Sequence, residues 1–165
     1  MVAQPPAEGL TVTWIGHATL LVQMDNITVL TDPMFSDNSG PWRMPFGYTE
    51  RYRPPSCAVD ELPHVDAVVI SHSHFDHLDY QSVLQLNQRY GPRLSWFVPE
   101  GLRPWMLSVG CETVVELSWW DEHVFTKQGL DTGVKFACVP AQHWSVRNGW
   151  DENKVCVHAV CSSGG

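Results

Sequence analysis

The stretch Val65-Asp66-Ala67-Val68-Val69-Ile70-Ser71-His72-Ser73-His74-Phe75-Asp76-His77 begins as a strand and ends as a cluster of metal-binding side chains. Residues 65–70 form a short apolar run rich in β-branched side chains, which predicts a buried strand. That strand delivers the chain into three imidazoles and one carboxylate, nitrogen and oxygen donors of the kind that hold zinc. In an extended segment, residues two apart project to the same side, so His72 and His74 are placed to share one ion. Asp76 and His77, past the bend, reach for a second. The spacing therefore predicts two metal ions.

Working outward, residues 10–15, 19–24 and 27–30 read as a meander of three strands, broken by Gly16-His17 and by the turn signal Asp25-Asn26. Residues 32–63 lose periodicity and carry six prolines, which predicts a long ordered loop crossing the surface. Downstream of the motif, Asp79 is placed to cap a helix over 80–90 that Gly91-Pro92 stops. A strand at 94–98, a short helix over 102–109, a strand at 113–117 and a strand pair at 124–126 and 134–139 follow. Strands and helices in this alternation predict an α/β fold around a mixed sheet.

The 165 residues carry a net charge of −8, from 10 basic against 18 acidic side chains, the reverse of the electrostatic footprint of a nucleic-acid binder. Arg43, Arg51 and Arg53, opposed only by Glu50, form a local cationic patch, read first as a solvated basic loop and second as a face for a phosphate group. Five cysteines without Cys-x-x-Cys spacing suit free thiols in a reducing compartment. No apolar run approaches the roughly 20 residues needed to span a bilayer. The first residues lack the basic flank and apolar core of a signal peptide, so the expected location is intracellular, on the cytoplasmic side.

A pair of ions supplies a complete hydrolytic chemistry: one polarises a phosphoryl oxygen, and together they lower the pKa of water toward about 7, giving hydroxide at neutral pH. The sequence holds no Gly-x-Ser-x-Gly elbow as a competing nucleophile. The His-x-His-x-Asp-His pattern after an apolar strand resembles the metallo-β-lactamase superfamily. Further segments sharpen the resemblance: Trp14-Ile15-Gly16-His17-Ala18-Thr19, Leu30-Thr31-Asp32-Pro33, Glu61-Leu62-Pro63, Trp96-Phe97-Val98-Pro99, Glu116-Leu117-Ser118-Trp119-Trp120 and Gln142-His143-Trp144. Together they resemble the N-acyl-phosphatidylethanolamine-hydrolysing phospholipases D, from about residue 9 to 155, nearly the whole chain.

The resemblance implies a metallo-β-lactamase-like αβ/βα sandwich of which this chain supplies roughly the N-terminal half, with residues 1–8 a disordered tail and 156–165 a divergent one. It implies that His143 joins His72 and His74 on one zinc, while Asp76 and His77, the pair assigned to catalysis, hold the second. Asp32 resembles a carboxylate that orients a ligand histidine. His17 is read either as a support near the metals or as a plain turn residue, and His64, His123 and His158 as surface residues. The implied substrate is a phospholipid met in peripheral contact with a membrane, with a second copy of the chain as a candidate partner. The resemblance also implies a bridging aspartate and a further histidine beyond residue 165, without which weak or no activity and an uncovered sheet face are expected. Competing expectations are a nuclease, lactonase or thioesterase on the same fold, or a non-catalytic metal-binding fragment. The tryptophans suit an apolar or interfacial substrate, although core packing accounts equally for most of them.

Overall fold

The computed structural model describes residues 9–40, 50–127, 129, 133–147, 150, 152–153 and, as backbone, 158–164. Strands β1 (Leu10–Gly16), β2 (Thr19–Met24) and β3 (Ile27–Thr31) form an antiparallel meander. The β2–β3 connection is the two-residue turn Asp25-Asn26, with φ of 48° and 60°. Asp and Asn tolerate this left-handed geometry, and its twist matches that of the flanking strands. From β3 the sheet turns parallel: β4 (Ala67–Val69), β5 (Ser95–Pro99) and β6 (Val114–Leu117) add in sequence order to give one six-stranded sheet.

Helix α1 (Tyr80–Tyr90) crosses from β4 to β5, and α2 (Arg103–Ser108) from β5 to β6. Val83, Leu86 and Tyr90 of α1 and Met106 of α2 pack on the sheet face made by Leu21, Leu30, Val68, Trp96 and Val98. Strand β5 shows the period-two logic of a strand buried on both sides. Its Trp96 and Val98 face the helices, and Phe97 between them faces the other way.

The opposite face is covered. Strands β7 (Glu122–Thr126), β8 (Gly133–Pro140) and β9 (His158–Gly164) make a three-stranded antiparallel sheet. Val134, Phe136 and Cys138 of β8 pack against Met24, Ile27, Val29, Val69 and Phe97. Phe97 and Phe136 stack with ring centroids 4.1 Å apart. Lys127 adds a polar tie between the sheets, reaching Asp66 at 2.9 Å and the Asn26 carbonyl at 3.0 Å. The result is a helix–sheet–sheet layering, the first half of the expected sandwich. One expectation is corrected here: the sheet face is not left bare, because the alternating apolar residues of β8 cover it. The segment 158–164 pairs antiparallel with β8 in that covering sheet.

Elements otherwise fall near their predicted bounds, and α1 matches residue for residue. Strand β4 is shorter than the expected 65–70, although Val65 and Ile70 flanking it are fully buried. In the long loop after β3, the description omits 41–49 and therefore Arg43. What is described is tied down: Ser56 N–H donates to the Ile15 carbonyl at 2.9 Å, Tyr90 Oη–H to Pro63 at 2.7 Å, and Arg89 to the carbonyls of Val59 and Leu62. Among the described residues, no helix is long and apolar enough to cross a membrane.

If the second sheet is held chiefly by this aromatic and aliphatic contact, Phe136→Ala should lower unfolding stability by about 3–5 kcal/mol in urea denaturation. A loss below about 1 kcal/mol would show that the two sheets do not share a core.

Candidate metal centre

The loop leaving β4 carries the histidines because its backbone is held from both sides. His77 and Leu78 N–H both donate to the His74 carbonyl, at 3.1 and 2.8 Å, closing a tight turn. Asp79 then caps α1, accepting from Ser82 N–H at 3.2 Å and from the Ser36 hydroxyl at 2.6 Å, which also moors the loop after β3. On the other side the Arg147 guanidinium donates to the carbonyls of Ser73 (3.2 Å) and Leu78 (2.8 Å) and lies over the rings of Phe75 and Trp105. Sequence reasoning missed Arg147, since no local pattern marks a residue that acts on a loop some 70 positions away.

Two groups of ligand atoms converge. His72, His74 and His143 make the first, and His17, Asp76 and His77 the second, the atoms of each lying within 4.8 Å of one another. In the first group His72 Nε2 is 2.9 Å from His74 Nδ1, and His143 Nε2 is 3.3 Å from the same atom. Three nitrogens about 2.0–2.1 Å from a tetrahedral zinc would stand roughly 3.3 Å apart. The donor set and its spacing therefore fit such an ion. His143 arrives on the segment just past β8, so the docking of the second sheet is what carries it across. In the second group Asp76 Oδ2 is 2.9 Å from His17 Nε2 and 3.6 Å from His77 Nε2. All five residues singled out as ligands are thus brought into these two groups. His17, left open between a support and a turn residue, stands among them. His64 instead pairs with Asp66 at 3.0 Å, His123 packs edge-on against Phe97, and the His158 side chain lies outside the described residues.

Asp32 orients a histidine of each group. Its carboxylate accepts from Ser71 N–H at 2.7 Å, from the Ser71 hydroxyl at 2.7 Å and from His77 Nδ1 at 2.8 Å. Because the Ser71 proton is given to Asp32, the Ser71 oxygen is left to accept from His72 Nδ1, 2.8 Å away. His72 thereby carries its proton on Nδ1 and turns a bare Nε2 into the site, while His77 is oriented by giving its Nδ1 proton to Asp32. His74 Nε2 is buried with no partner, and Trp144 closes over that ring, centroids 4.5 Å apart.

Burial, reinforced by the neighbouring His77 and His74, pushes the His72 imidazole down to about 4. Burial and the adjacent His143 likewise lower His74. Both rings are therefore neutral lone-pair donors near pH 7. For Asp76, burial acts to raise the pKa, but His77 and the His17 hydrogen bond outweigh it, and the carboxyl is held below its ordinary value. For His77, burial acts to lower it, and the hydrogen bond and charge of Asp32 outweigh that and raise it.

The second group opens on a cavity of about 450 Å³ lined by Trp14, His17, Met34, Arg51, Tyr52, Arg53 and Asp76, among others. The loop after β3 therefore forms one wall of the site. Of its arginines, Arg51 is spent on the fold, donating to the carbonyls of Met34 and Arg53 beneath Gly16. Arg53 is exposed, 6.0 Å over the Tyr52 ring.

The family described as Beta-lactamase superfamily domain matches residues 28–162. The N-acyl-phosphatidylethanolamine-hydrolyzing phospholipase D 1 of Caenorhabditis elegans is 39% identical over 150 residues, covering 88% of this chain and 41% of that protein. The mitochondrial N-acyl-phosphatidylethanolamine-hydrolyzing phospholipase D of Saccharomyces cerevisiae is 35% identical over 147 residues, 86% of this chain and 29% of that one. The chain thus spans less than half the length of these curated relatives. Among solved structures, the metallo hydrolase Igni18 of Ignicoccus hospitalis superposes with a TM-score of 0.62 at 19% identity, covering 94% of this chain and 56% of that one, which speaks for a shared fold.

Asp32→Asn retains a side chain that tolerates the left-handed backbone at this position (φ 36°) but loses one acceptor for the Ser71 and His77 protons. Zinc affinity in competition with a chromophoric chelator should fall by about 10–100-fold with little change in melting temperature. Unchanged affinity would mean that Asp32 does not set the orientation of these rings.

Proposed function

For a chain that belongs to the beta-lactamase superfamily, we propose a metal-dependent hydrolase that cleaves the phosphodiester of N-acyl-phosphatidylethanolamine, releasing N-acylethanolamine and phosphatidate. The observation that carries this reading is the pair of convergent donor groups, His72/His74/His143 and Asp76/His77 with His17 beside them, the second of which opens on the cavity through His17 and Asp76. The phospholipase D relatives, at 39% and 35% identity, support the choice of substrate.

His72, His74 and His143 would hold one ion, and Asp76 and His77 would contribute to a second, in both cases zinc. When bound, such ions supply Lewis acidity toward a phosphoryl oxygen and acidify water to near neutrality. The chain's own residues prepare the rest. Asp32 orients the rings of His72 and His77 so that Nε2 of each faces inward, and the lowered pKa values of His72 and His74 remove the competing proton. Trp144 over His74 shields that ring from solvent. In the net reaction water adds to phosphorus and the bond from phosphorus to the ethanolamine oxygen breaks.

The rim of the cavity suits a lipid. Trp14 and Tyr52 are 67% and 95% exposed, an arrangement that leaves amphipathic rings free to enter the headgroup region of a bilayer. Arg53 beside Tyr52 offers a cation to an anionic headgroup. A nucleic-acid substrate is disfavoured by the net charge of −8.

Zinc-loaded protein should hydrolyse N-acyl-phosphatidylethanolamine in mixed micelles at a low rate, and chelation should abolish that turnover. Tyr52→Ser should reduce vesicle binding and micellar turnover while leaving hydrolysis of a soluble aryl phosphodiester within about twofold. Absence of any zinc-dependent phosphodiester hydrolysis sinks the reading. Equal losses on both substrates would remove the lipid-facing role of the rim.

A further inference from the structure

Resting on the metal-dependent reading above, we propose that Arg147 is a positioning residue for the first ion. It locks the chain past β8 to both ends of the loop after β4, so that His143 meets His72 and His74 before any ion arrives. His143 and Arg147 share one segment, which leaves the second sheet at Pro140 and belongs to no strand or helix. A segment outside any ladder has to be held by other contacts.

Two sets of contacts hold it. Within the segment, Asn153 N–H donates to the carbonyl of the fully buried Ser145 at 2.7 Å, and Asn153 Oδ1 accepts from Ser145 N–H at 3.3 Å. Across to the loop after β4, Arg147 Nη1 donates to the Ser73 carbonyl at 3.2 Å and to the Leu78 carbonyl at 2.8 Å. These carbonyls bracket the loop: Ser73 lies between His72 and His74, and Leu78 follows His77. One nitrogen thus ties together the two ends of the ligand-bearing loop from a point just beyond His143. Ser73 and Leu78 are both buried, and buried carbonyls without a donor are costly, so the loop depends on this cation.

The Arg147 side chain is itself confined. Its guanidinium carbon stands 4.5 Å from the ring centroid of Phe75, on the loop, and 4.6 Å from that of Trp105, on α2. A planar cation stacked on aromatic faces presents its donors in a fixed direction. Lysine could reach a carbonyl, but its ammonium has no flat face to stack and no rigid fork. The consequence for the site is one of distance. His143 Nε2 is 3.3 Å from His74 Nδ1, and its ring centroid is 4.7 Å from that of His72. Preorganised sites hold their groups within about 0.5 Å, and a drift of about 1 Å between the two segments removes that match to a tetrahedral ion.

The competing account is that Arg147 only fastens α2 to the loop, acting on folding and not on the metal site. Zinc and cobalt binding to the whole chain separate the two. Arg147→Met keeps an apolar side chain between the rings and loses the donors. Its first equivalent of zinc, in competition with a chromophoric chelator, should bind about 10–100-fold more weakly than in wild type. One equivalent of cobalt should give the intense visible bands of a four-coordinate ion in wild type and weaker, shifted bands in Arg147→Met. Arg147→Lys, which keeps the charge, should stay closer to Arg147→Met than to wild type in both measurements. Should Arg147→Met fail to fold, the wild-type chain still decides: its Arg147 Nη protons should give separate, slowly exchanging NMR signals in the metal-free as in the zinc-loaded state. Wild-type zinc affinity and an unchanged cobalt spectrum in Arg147→Met overturn the proposal and leave the hydrolase reading standing. Full recovery by Arg147→Lys, or averaged Nη signals in the metal-free chain, does the same. A wild-type chain that takes up neither metal overturns the hydrolase reading as well.

Discussion

One carboxylate holds the arrangement together. Asp32 leaves the end of β3 with its N–H donated to the Val69 carbonyl of β4 at 2.9 Å and its own carbonyl accepting from the Thr19 hydroxyl at 2.8 Å. The residue is therefore fixed before its side chain acts. That side chain then spreads its acceptors over Ser71 and His77, and through Ser71 over His72. A buried carboxylate in apolar surroundings is costly unless its acceptors are satisfied, and here satisfying them determines how two histidine rings are turned. Stability and chemistry are met by the same hydrogen bonds, one histidine from each donor group depending on each branch.

The layering does the long-range work. The six-stranded sheet presents the loop after β4 at its edge, and α1, capped by Asp79, anchors the far end of that loop. The second sheet docks through Phe136, Val134 and Cys138, and its geometry decides where the chain past β8 emerges. His143 thus reaches His72 and His74 through a packing interface that contains no ligand. The β1–β2 turn contributes His17 by a third route, through a strained backbone held by an indole hydrogen bond and a glycine. Donors arriving on independent rigid elements are harder to displace than donors on one loop, the condition for a preorganised site.

Some of this was legible residue by residue. The helix over 80–90 follows from the Asp79 cap, the Val83/Leu86/Tyr90 stripe and the Gly91 stop, all local signals that the tertiary structure has no reason to override. The shortening of β4 to Ala67–Val69 was not legible, because apolar character marks burial and not ladder pairing, and Val65 and Ile70 are buried outside the strand. Nor was the role of Arg51 visible. Its charge suggests an anion partner, whereas its neighbours in space are backbone carbonyls. Of the tryptophans, Trp96 lies in the core and Trp14 and Trp120 are largely exposed, a division that depends on which face of a strand or turn each occupies.

By itself the amino-acid sequence determined the donor cluster His72, His74, Asp76 and His77, because ligands two residues apart on an extended segment share a side whatever the rest of the chain does. It also determined the strand and helix order, through periodicity and caps that act over a few residues. Only the tertiary structure decided that His17 joins Asp76, that Asp32 serves both donor groups, that Arg147 clamps the ligand loop and that residues 158–164 complete the sheet covering the core. Each of these is a contact between segments far apart in the chain, whose approach is set by the packing of two sheets and not by any local preference.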